Sequence, residues 1–372
     1  MIFLLSRLNT GGTQYYILSL VKALKKQSIN SKVLVMRKKD LDHKMLREYS
    51  IHCEINFLSD FGNFFIPRII SSSFPFLGIN RPKIKDFLSN QKIHVTCPFT
   101  YFVLKNLLPK KNLNKISYGV YHANFLSWGR DGNLTLPETF FRKKLFNDEV
   151  LIFFGPEKTR KDAVTFNKIK NTEKFICVPT GIELLEPLRK KNINNKIVIV
   201  GRLEKYKKFI PGTIEILKDL CNKNLKIDVI GDGAYRKTLE QKCKNLSLEE
   251  RVSFLGNVEK KDLLLLIQDS DIIVSSGTSL TYLSSSGIPS IIALEEHKFL
   301  SPGFLHDLED YNFSESSFPE NFKLVGIKNL INEFYNDPEK VNNLSFKNNY
   351  RMVEKLDINL VSKEFLESHD LK

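Results

Sequence analysis

The sequence predicts an α/β protein built from two successive parallel-sheet domains that face a cleft. Three observations carry this. Short apolar, β-branched runs alternate with amphipathic helical segments from end to end. The alternation pauses once, in the polar stretch "IELLEPLRKKNINNK" after Gly181, and then restarts. The chain of 372 residues is also long for a single core and of ordinary length for two.

The first cycle opens with "IFLLS" as a strand, followed by the helix "TQYYILSLVKALKKQ", whose Ile17, Leu18, Val21 and Leu24 share one face. "SKVLVM" is the next strand, and "KIHVTC", "KISYGVY", "EVLIFFG" and "KFICVPTG" continue the set. Residues 60–82 are rich in Phe and interrupted by Pro67, Pro75 and Pro82. They read as a broken core helix, with an exposed apolar loop for an acyl chain or bilayer as the alternative. The polar stretch with Pro187 reads as a linker. The second cycle runs "KIVIVG", "IPGTIEILKDLCNK", "LKIDVIG", "AYRKTLEQKCKNL", "VSFLG", "EKKDLLLLIQDS", "DIIVSS", "SLTYLSSS" and "PSIIA" as alternating strands and helices. The expected division is 1–185, 195–340, and a C-terminal helical segment 341–372, for which packing back on the first domain is one expected place. Two such units imply two Rossmann-like domains.

Composition narrows the function classes. Hydrophobic residues at 42% and charged residues at 26% are globular values. No apolar run approaches the roughly 18 residues a membrane span requires. The first residues lack a basic region ahead of the apolar run and a small-residue cleavage site, so no signal peptide is expected. Cys53, Cys97, Cys177, Cys221 and Cys243 are odd in number and widely spaced, with no C-x-x-C pair. That pattern favours reduced thiols in the cytosol and speaks against a disulfide framework or a zinc site. The net charge of +14 is concentrated in short clusters such as "KALKK", "LPKKNLNK" and "FFRKKLF", mostly in the first half. Such asymmetry suits peripheral contact with an anionic membrane, or else solvated helix faces. Nucleic acid is a weaker expectation, because no recognition motif accompanies the charge.

Ligands of open α/β sheets bind at the carboxyl ends of strands, so the strand-to-helix turns are the candidate sites. In "LSRLNTGGTQYY", Gly11 and Gly12 open the backbone at a helix start that offers free amides. The dinucleotide fingerprint G-x-G-x-x-G and the G-x-x-x-x-G-K-[ST] loop are both absent. In "VIVGRLEKYKKF", Arg202 emerges from a strand end with Lys207 and Lys208 close by. A bidentate guanidinium backed by an ammonium suits the charge that grows on a diphosphate leaving group. "VIGDGAYRKTLEQ" is a third strand-glycine-helix turn. In "GTSLTYLSSSGIPSII", Gly277 admits a ligand while Thr278, Ser279 and Leu280 present successive amides; Gly287 then ends the helix and Pro289 precedes the next strand. The run Ser284 to Ser286 reads as small-residue packing.

In this order the motifs resemble those of family-4 glycosyltransferases, retaining enzymes of the GT-B fold that use nucleotide sugars without a bound metal. "LNTGGTQ" is similar to that family's G-G-x-E loop, "PTGIE" to P-N-G-V-D, "VGRLEKYKK" to G-R-L-x-x-x-K-G, and "SGIPSI" to A-x-G-x-P-V-I. "IGDGAYRKTLEQ" with "RVSFLGNV" is similar to G-x-G-P followed by V-x-F-x-G. The matches run across residues 3 to 293. The resemblance implies that Gly12 approaches the donor phosphates and that Arg202 and Lys207 hold the diphosphate. It places the backbone from Val252 to Phe254 against the base, with Gly231 and Gly233 shaping the turn below. Thr278 to Leu280 would bind phosphate after Gly277, and His122 in "GVYHANF" takes the place of a sugar-site histidine. The family's E-x7-E pair falls on Val274 and Tyr282, so a neutral hydroxyl stands where a carboxylate would meet the ribose. Gln14 replaces the loop glutamate and Lys208 a glycine.

The implied function is transfer of a hexose from a nucleoside diphosphate sugar to a glycan or lipid-linked acceptor in cell-surface polysaccharide or lipopolysaccharide assembly. No cofactor or metal is implied, and the expected location is cytoplasmic, on the inner face of the membrane. A nucleotide-sugar epimerase of the same fold would need paired carboxylates, which these turns lack. A glycan-binding or scaffold protein is the non-enzyme alternative, and Tyr282 is its best support.

Overall fold

The computed structural model describes residues 1–9, 11–38, 41–62, 79–108, 115–121, 126, 142, 145–155, 157–188, 192–308 and 323–370. The chain forms two compact units, Met1–Gly181 with Ile358–Lys372, and Ile182–Asp357.

The first unit is organised by a parallel sheet of seven strands. They are β1 (Ile2–Leu5), β2 (Lys32–Val35), β3 (Glu54–Phe57), β4 (Ile93–Val95), β5 (Ile116–Val120), β6 (Leu151–Phe154) and β7 (Phe175–Cys177), in the spatial order β3-β2-β1-β4-β5-β6-β7. Parallel strands need crossover connections and must be covered on both faces, which is why "IFLL" is apolar without alternation. Successive side chains divide between the faces. Ile2 and Leu4 enter a core with Ile84, Leu104 and Ala163, contributed by α3 (Arg81–Leu88), α4 (Pro98–Leu107) and α5 (Glu157–Phe166). Phe3 and Leu5 enter the opposite core with Ile17, Val21 and Leu24 of α1 (Gly12–Lys26) and Met45 and Tyr49 of α2 (His43–His52). Ile358, Val361 and Phe365 of the C-terminal helix, Ile358–Asp370, complete that second core. A Cβ on Gly181 would lie 2.7 Å from the Ile358 Cδ1, so the glycine of "PTGIE" is where this helix docks. Gln27 Nε2 fixes its far side by donating to Ser362 Oγ at 2.7 Å.

The helical segment expected at 341–372 divides between the units. Residues up to Asp357 belong with the second unit and only Ile358 onward with the first. The stretch read as a linker is likewise fastened to the second unit. Leu185 N donates to Ser285 Oγ at 2.9 Å and Leu188 N to the Ser286 carbonyl at 2.6 Å, with Leu185 buried. Polar composition concealed this, because the segment is fastened through the backbone amides of two leucines. The Phe-rich stretch 60–82 lies for the most part outside the described residues, which omit 63–78.

The second unit repeats the plan with five parallel strands, β8 (Lys196–Val200), β9 (Lys226–Ile230), β10 (Val252–Gly256), β11 (Ile272–Ser275) and β12 (Ser290–Ile292), ordered β10-β9-β8-β11-β12. Its helices are α6 (Phe209–Ile216), α7 (Arg236–Asn245), α8 (Lys260–Gln268), α9 (Gly277–Ser284), α10 (Ile327–Asn336) and α11 (Pro338–Glu354). Ile197 and Ile199 face one core, Val198 and Val200 the other. Mixed α/β architecture with parallel sheets agrees with the fold class read from the sequence. All five cysteines are unpaired.

A buried polar chain crosses the first unit. His94 Nδ1 lies 2.7 Å from Ser117 Oγ, which lies 2.6 Å from His369 Nε2 of the C-terminal helix; His94 Nε2 lies 2.6 Å from Tyr121 Oη. Burial holds His94 well below its ordinary pKa of 6.5, and His369 beside it adds to the effect. His94 is therefore neutral when folded, whereas the unfolded chain takes up a proton below that value. Its contribution is present above about pH 6.5 and is lost as pH falls. Thermal melts are expected to show the unfolding midpoint dropping between about pH 7.5 and 5.5. A His94→Gln variant, which cannot titrate, should give a shallower slope even from a lower starting point; an unchanged slope would contradict the assignment.

Candidate functional site

The strand order of the second unit reverses between β8 and β11, so the crevice at their carboxyl ends is where this topology places a ligand. Gly201 to Lys208 leave β8, and Ser276 leads from β11 into α9. Lys207 bridges the two. Its Nζ lies 2.8 Å from Glu295 Oε1 and 3.1 Å from Ser276 Oγ, with the side chain 12% exposed. Arg202 is exposed and has no ion pair with another described residue. Lys208 pairs instead with Glu296 at 2.8 Å. The lysine at the family's glycine position is accommodated because its φ of −62° is right-handed, a conformation that favours no glycine.

The loop bearing Arg202 rests on a turn that only glycines permit. Gly231 has φ +135°, and a Cβ there would stand 2.0 Å from the Gly201 carbonyl oxygen; one on Gly233 would stand 2.3 Å from the Leu203 carbonyl oxygen. Gly201 N donates to the Ile230 carbonyl and Leu203 N to the Asp232 carbonyl, both at 3.0 Å. A Gly231→Ala change strains the backbone and pushes this loop away. The expected cost is about 3 kcal/mol of stability. Circular dichroism melts and nucleotide titration of the variant check it, and a variant as stable as the parent would contradict this account of the turn.

Across the crevice, Gly277 begins α9 with φ +62°, and Ser276 does not cap the helix because its hydroxyl receives Lys207. Amides at this start are thus left for a ligand. Thr278 and Ser279 are half-buried, while the Leu280 side chain is fully buried, so Leu280 can act only through its backbone. Tyr282 packs against the cluster of Leu185, Val198, Ile273 and Leu283, and burial raises its hydroxyl pKa. The three serines that follow turn their hydroxyls back on the helix, Ser284 to the Thr281 carbonyl, Ser285 to Tyr282 and Ser286 to Leu283.

Two assigned positions differ from expectation. Val252 is the first residue of β10 and is buried, so it stands at the amino end of the strand, roughly 13 Å of backbone from Gly256 at the carboxyl end. Phe254 packs on the core, and its carbonyl accepts from Arg236 Nη2 at 3.1 Å. The rim is formed instead by Gly256, whose carbonyl accepts from Gly231 N at 2.8 Å, next to exposed Leu255.

In the first unit, Gly12 is exposed in the first turn of α1. Gln14 folds back, donating from Nε2 to Asn9 Oδ1 at 3.1 Å, and a Cβ on Gly11 would meet its Oε1 at 2.6 Å. His122 lies outside the described residues. Its neighbour Tyr121 is held by His94 and stacks edge-on against Tyr16. Sequence reading missed Ser276 and Glu295. The signal was stronger for Ser276, which follows directly on the buried strand in "DIIVSS", than for Glu295, three residues beyond the strand in "PSIIALEE". Among the described residues, no group of three or more His, Cys, Asp or Glu side chains is placed to hold a metal ion. No helix among them is long and apolar enough to cross a membrane.

Residues 182–293, which contain every element of this crevice up to β12, match the family of glycosyl transferases group 1. Alpha-monoglucosyldiacylglycerol synthase of Streptococcus pneumoniae is 29% identical over 160 residues, covering 37% of this chain and 36% of that protein. The chain thus spans about a third of that relative. Two solved structures share the fold over nearly the whole length. Anabaena Alr3699/HepE in complex with UDP and glucose gives a TM-score of 0.69 at 16% identity, covering 99% of each chain. Sucrose-phosphate synthase from Thermosynechococcus elongatus gives 0.71 at 15% identity, covering 100% of this chain and 98% of that one. The chain is therefore similar to group 1 glycosyl transferases over residues 182–293, within a fold of the GT-B type shared with these structures.

Proposed function

We propose that this chain is a retaining, family-4-like glycosyltransferase that moves a hexose from a uridine diphosphate sugar to a glycan or glycolipid acceptor of the cell surface. One observation carries the reading: Lys207 is held at the β8/β11 switch point, inside the matched domain, with exposed Arg202 on the same loop. Arg202 clamps the diphosphate and Lys207 supplies a point charge as the glycosidic bond to the leaving phosphate breaks. The α9 amides from Gly277 to Leu280 hold further phosphate oxygens, and Gly231 and Gly233 keep the Arg202 loop in place. In this reading the protein's own cations neutralise the leaving group, with no metal required. His122 and Gly12 are assigned to the sugar and acceptor side. The glycolipid product in the pneumococcal relative's name and the net charge of +14 support a lipid-linked acceptor and contact with an anionic membrane surface.

A second reading is favoured by Tyr282, a neutral side chain packed on an apolar cluster where the resemblance places a carboxylate for the ribose: a glycan-binding protein without transfer. One assay separates the two. Purified protein is incubated with radiolabelled UDP-glucose and diacylglycerol in anionic vesicles, with and without EDTA, and then with other nucleotide sugars and glycan acceptors. Label entering an acceptor as the α-anomer, insensitive to EDTA, supports transfer with retention. Nucleotide binding with no transfer from any donor would sink the enzymatic reading and favour the binder.

A further inference from the structure

Lys207 reaches the crevice already paired. Glu295, just beyond the carboxyl end of β12, places Oε1 2.8 Å from its Nζ, and the carboxylate side chain is 32% exposed. Lys208 is matched in the same way by Glu296, so two of the four cations on this loop are paired by the chain following β12. Binding a diphosphate in the crevice brings its oxygens to the same ammonium and therefore close to a fixed negative charge. Ser276 Oγ, at 3.1 Å, holds the ammonium from the β11 side and is neutral, so Glu295 is the contact on Lys207 whose charge opposes the ligand.

We propose that Glu295 is a positioning residue with a second role, selecting against the free nucleoside diphosphate and so driving product release. The inference rests on the reading of the crevice as a nucleotide-sugar site. In the sugar donor both phosphates are esterified and each carries one charge. Once the glycosidic carbon–oxygen bond breaks, the electron pair stays on the terminal phosphate. That group can ionise a second time, with a pKa near ~6 as in other phosphate monoesters. The extra charge develops beside Lys207 and Glu295. Coulomb repulsion from the carboxylate then weighs more on the product than on the donor. The pairing also keeps the ammonium aimed between β8 and β11 while the site is empty.

The test uses the full chain, with UDP and UDP-glucose as probes, by calorimetric titration near pH 8. Glu295→Gln keeps the side-chain length and a hydrogen-bonding oxygen while removing the charge. It is expected to tighten UDP about tenfold and UDP-glucose about twofold at most. The UDP advantage should shrink near pH ~5.5, where the terminal phosphate becomes protonated and product and donor carry equal charge. In steady state kcat and KM should fall together, the signature of slowed release. Glu295→Asp keeps the charge and is expected to retain the parent ratio of UDP to UDP-glucose affinity. Equal weakening of both ligands by Glu295→Gln, or a ratio that does not move with pH, would reduce Glu295 to a purely structural role and overturn the proposal. If the parent protein binds both probes through Arg202 but the ratio is unchanged in Glu295→Gln, only this inference fails. If the parent protein binds neither probe, the functional reading fails with it.

Discussion

Replacing Lys207 by alanine is expected to weaken binding of a nucleoside diphosphate about 10- to 150-fold, the range for losing a charge-assisted contact worth about 1.5–3 kcal/mol. The effect should exceed that of Lys208→Ala, because Lys208 is an exposed cation paired with exposed Glu296, whereas Lys207 is nearly enclosed between Glu295 and Ser276. The same change removes the ammonium 2.8 Å from the Glu295 carboxylate, so some stability should be lost as well. A Lys207→Met variant, which keeps a long unbranched side chain without the charge, separates the two effects. It should recover stability and leave affinity low. Titration calorimetry with thermal melts checks both quantities, and equal affinity in the two lysine variants at positions 207 and 208 would contradict the geometry.

The largest stability effect outside the crevice is expected at Asp271. Its carboxylate is fully buried and accepts hydrogen bonds from the amides of Asn194 and Lys196 and from the Tyr335 hydroxyl, each at 3.0 Å. It thereby fastens the entry to β8 and the helix α10 to the start of β11. Asp271→Ala would remove all three of these hydrogen bonds at a cost of about 3 kcal/mol. In a unit of this size that corresponds to a drop of about 6–12 °C in the unfolding midpoint. Asp271→Asn retains one acceptor oxygen and should lose about half as much. Differential scanning calorimetry reads the result, and a shift confined to the transition of the first unit would contradict the placement of Asp271.

The alternation of strands and helices was legible because both faces of each sheet are covered. Central strands such as "IFLL", "LIFF" and "KIVIV" are therefore near-continuous apolar runs. The switch-point loops could be read for the same reason, since glycines and cations directly after a strand have few structural explanations. Chain return was less visible. Nothing local distinguishes the helix ending at Glu354 from the one beginning at Ile358, yet they belong to different units. The distinction depends on Gly181 being small enough for Ile358 to dock. Glu295 was missed because its partner lies far away in sequence. His94, Ser117 and His369 were missed because each is unremarkable in its own strand or helix and gains meaning only through the other two. Val252 was misplaced for a different reason: a motif fixes a strand's register along the chain without saying which end of it meets the ligand.

The central claim is that a diphosphate binds between Arg202 and Lys207 at the β8/β11 switch point. Its most direct test is calorimetric titration of the full chain with UDP, GDP, ADP and CDP, beside an Arg202→Ala, Lys207→Ala double variant whose fold is checked by circular dichroism. The account predicts saturable binding of at least one nucleotide, UDP first among them, that disappears in the folded double variant. Binding that survives in the double variant, or no binding of any of these nucleotides to the parent protein, would contradict it.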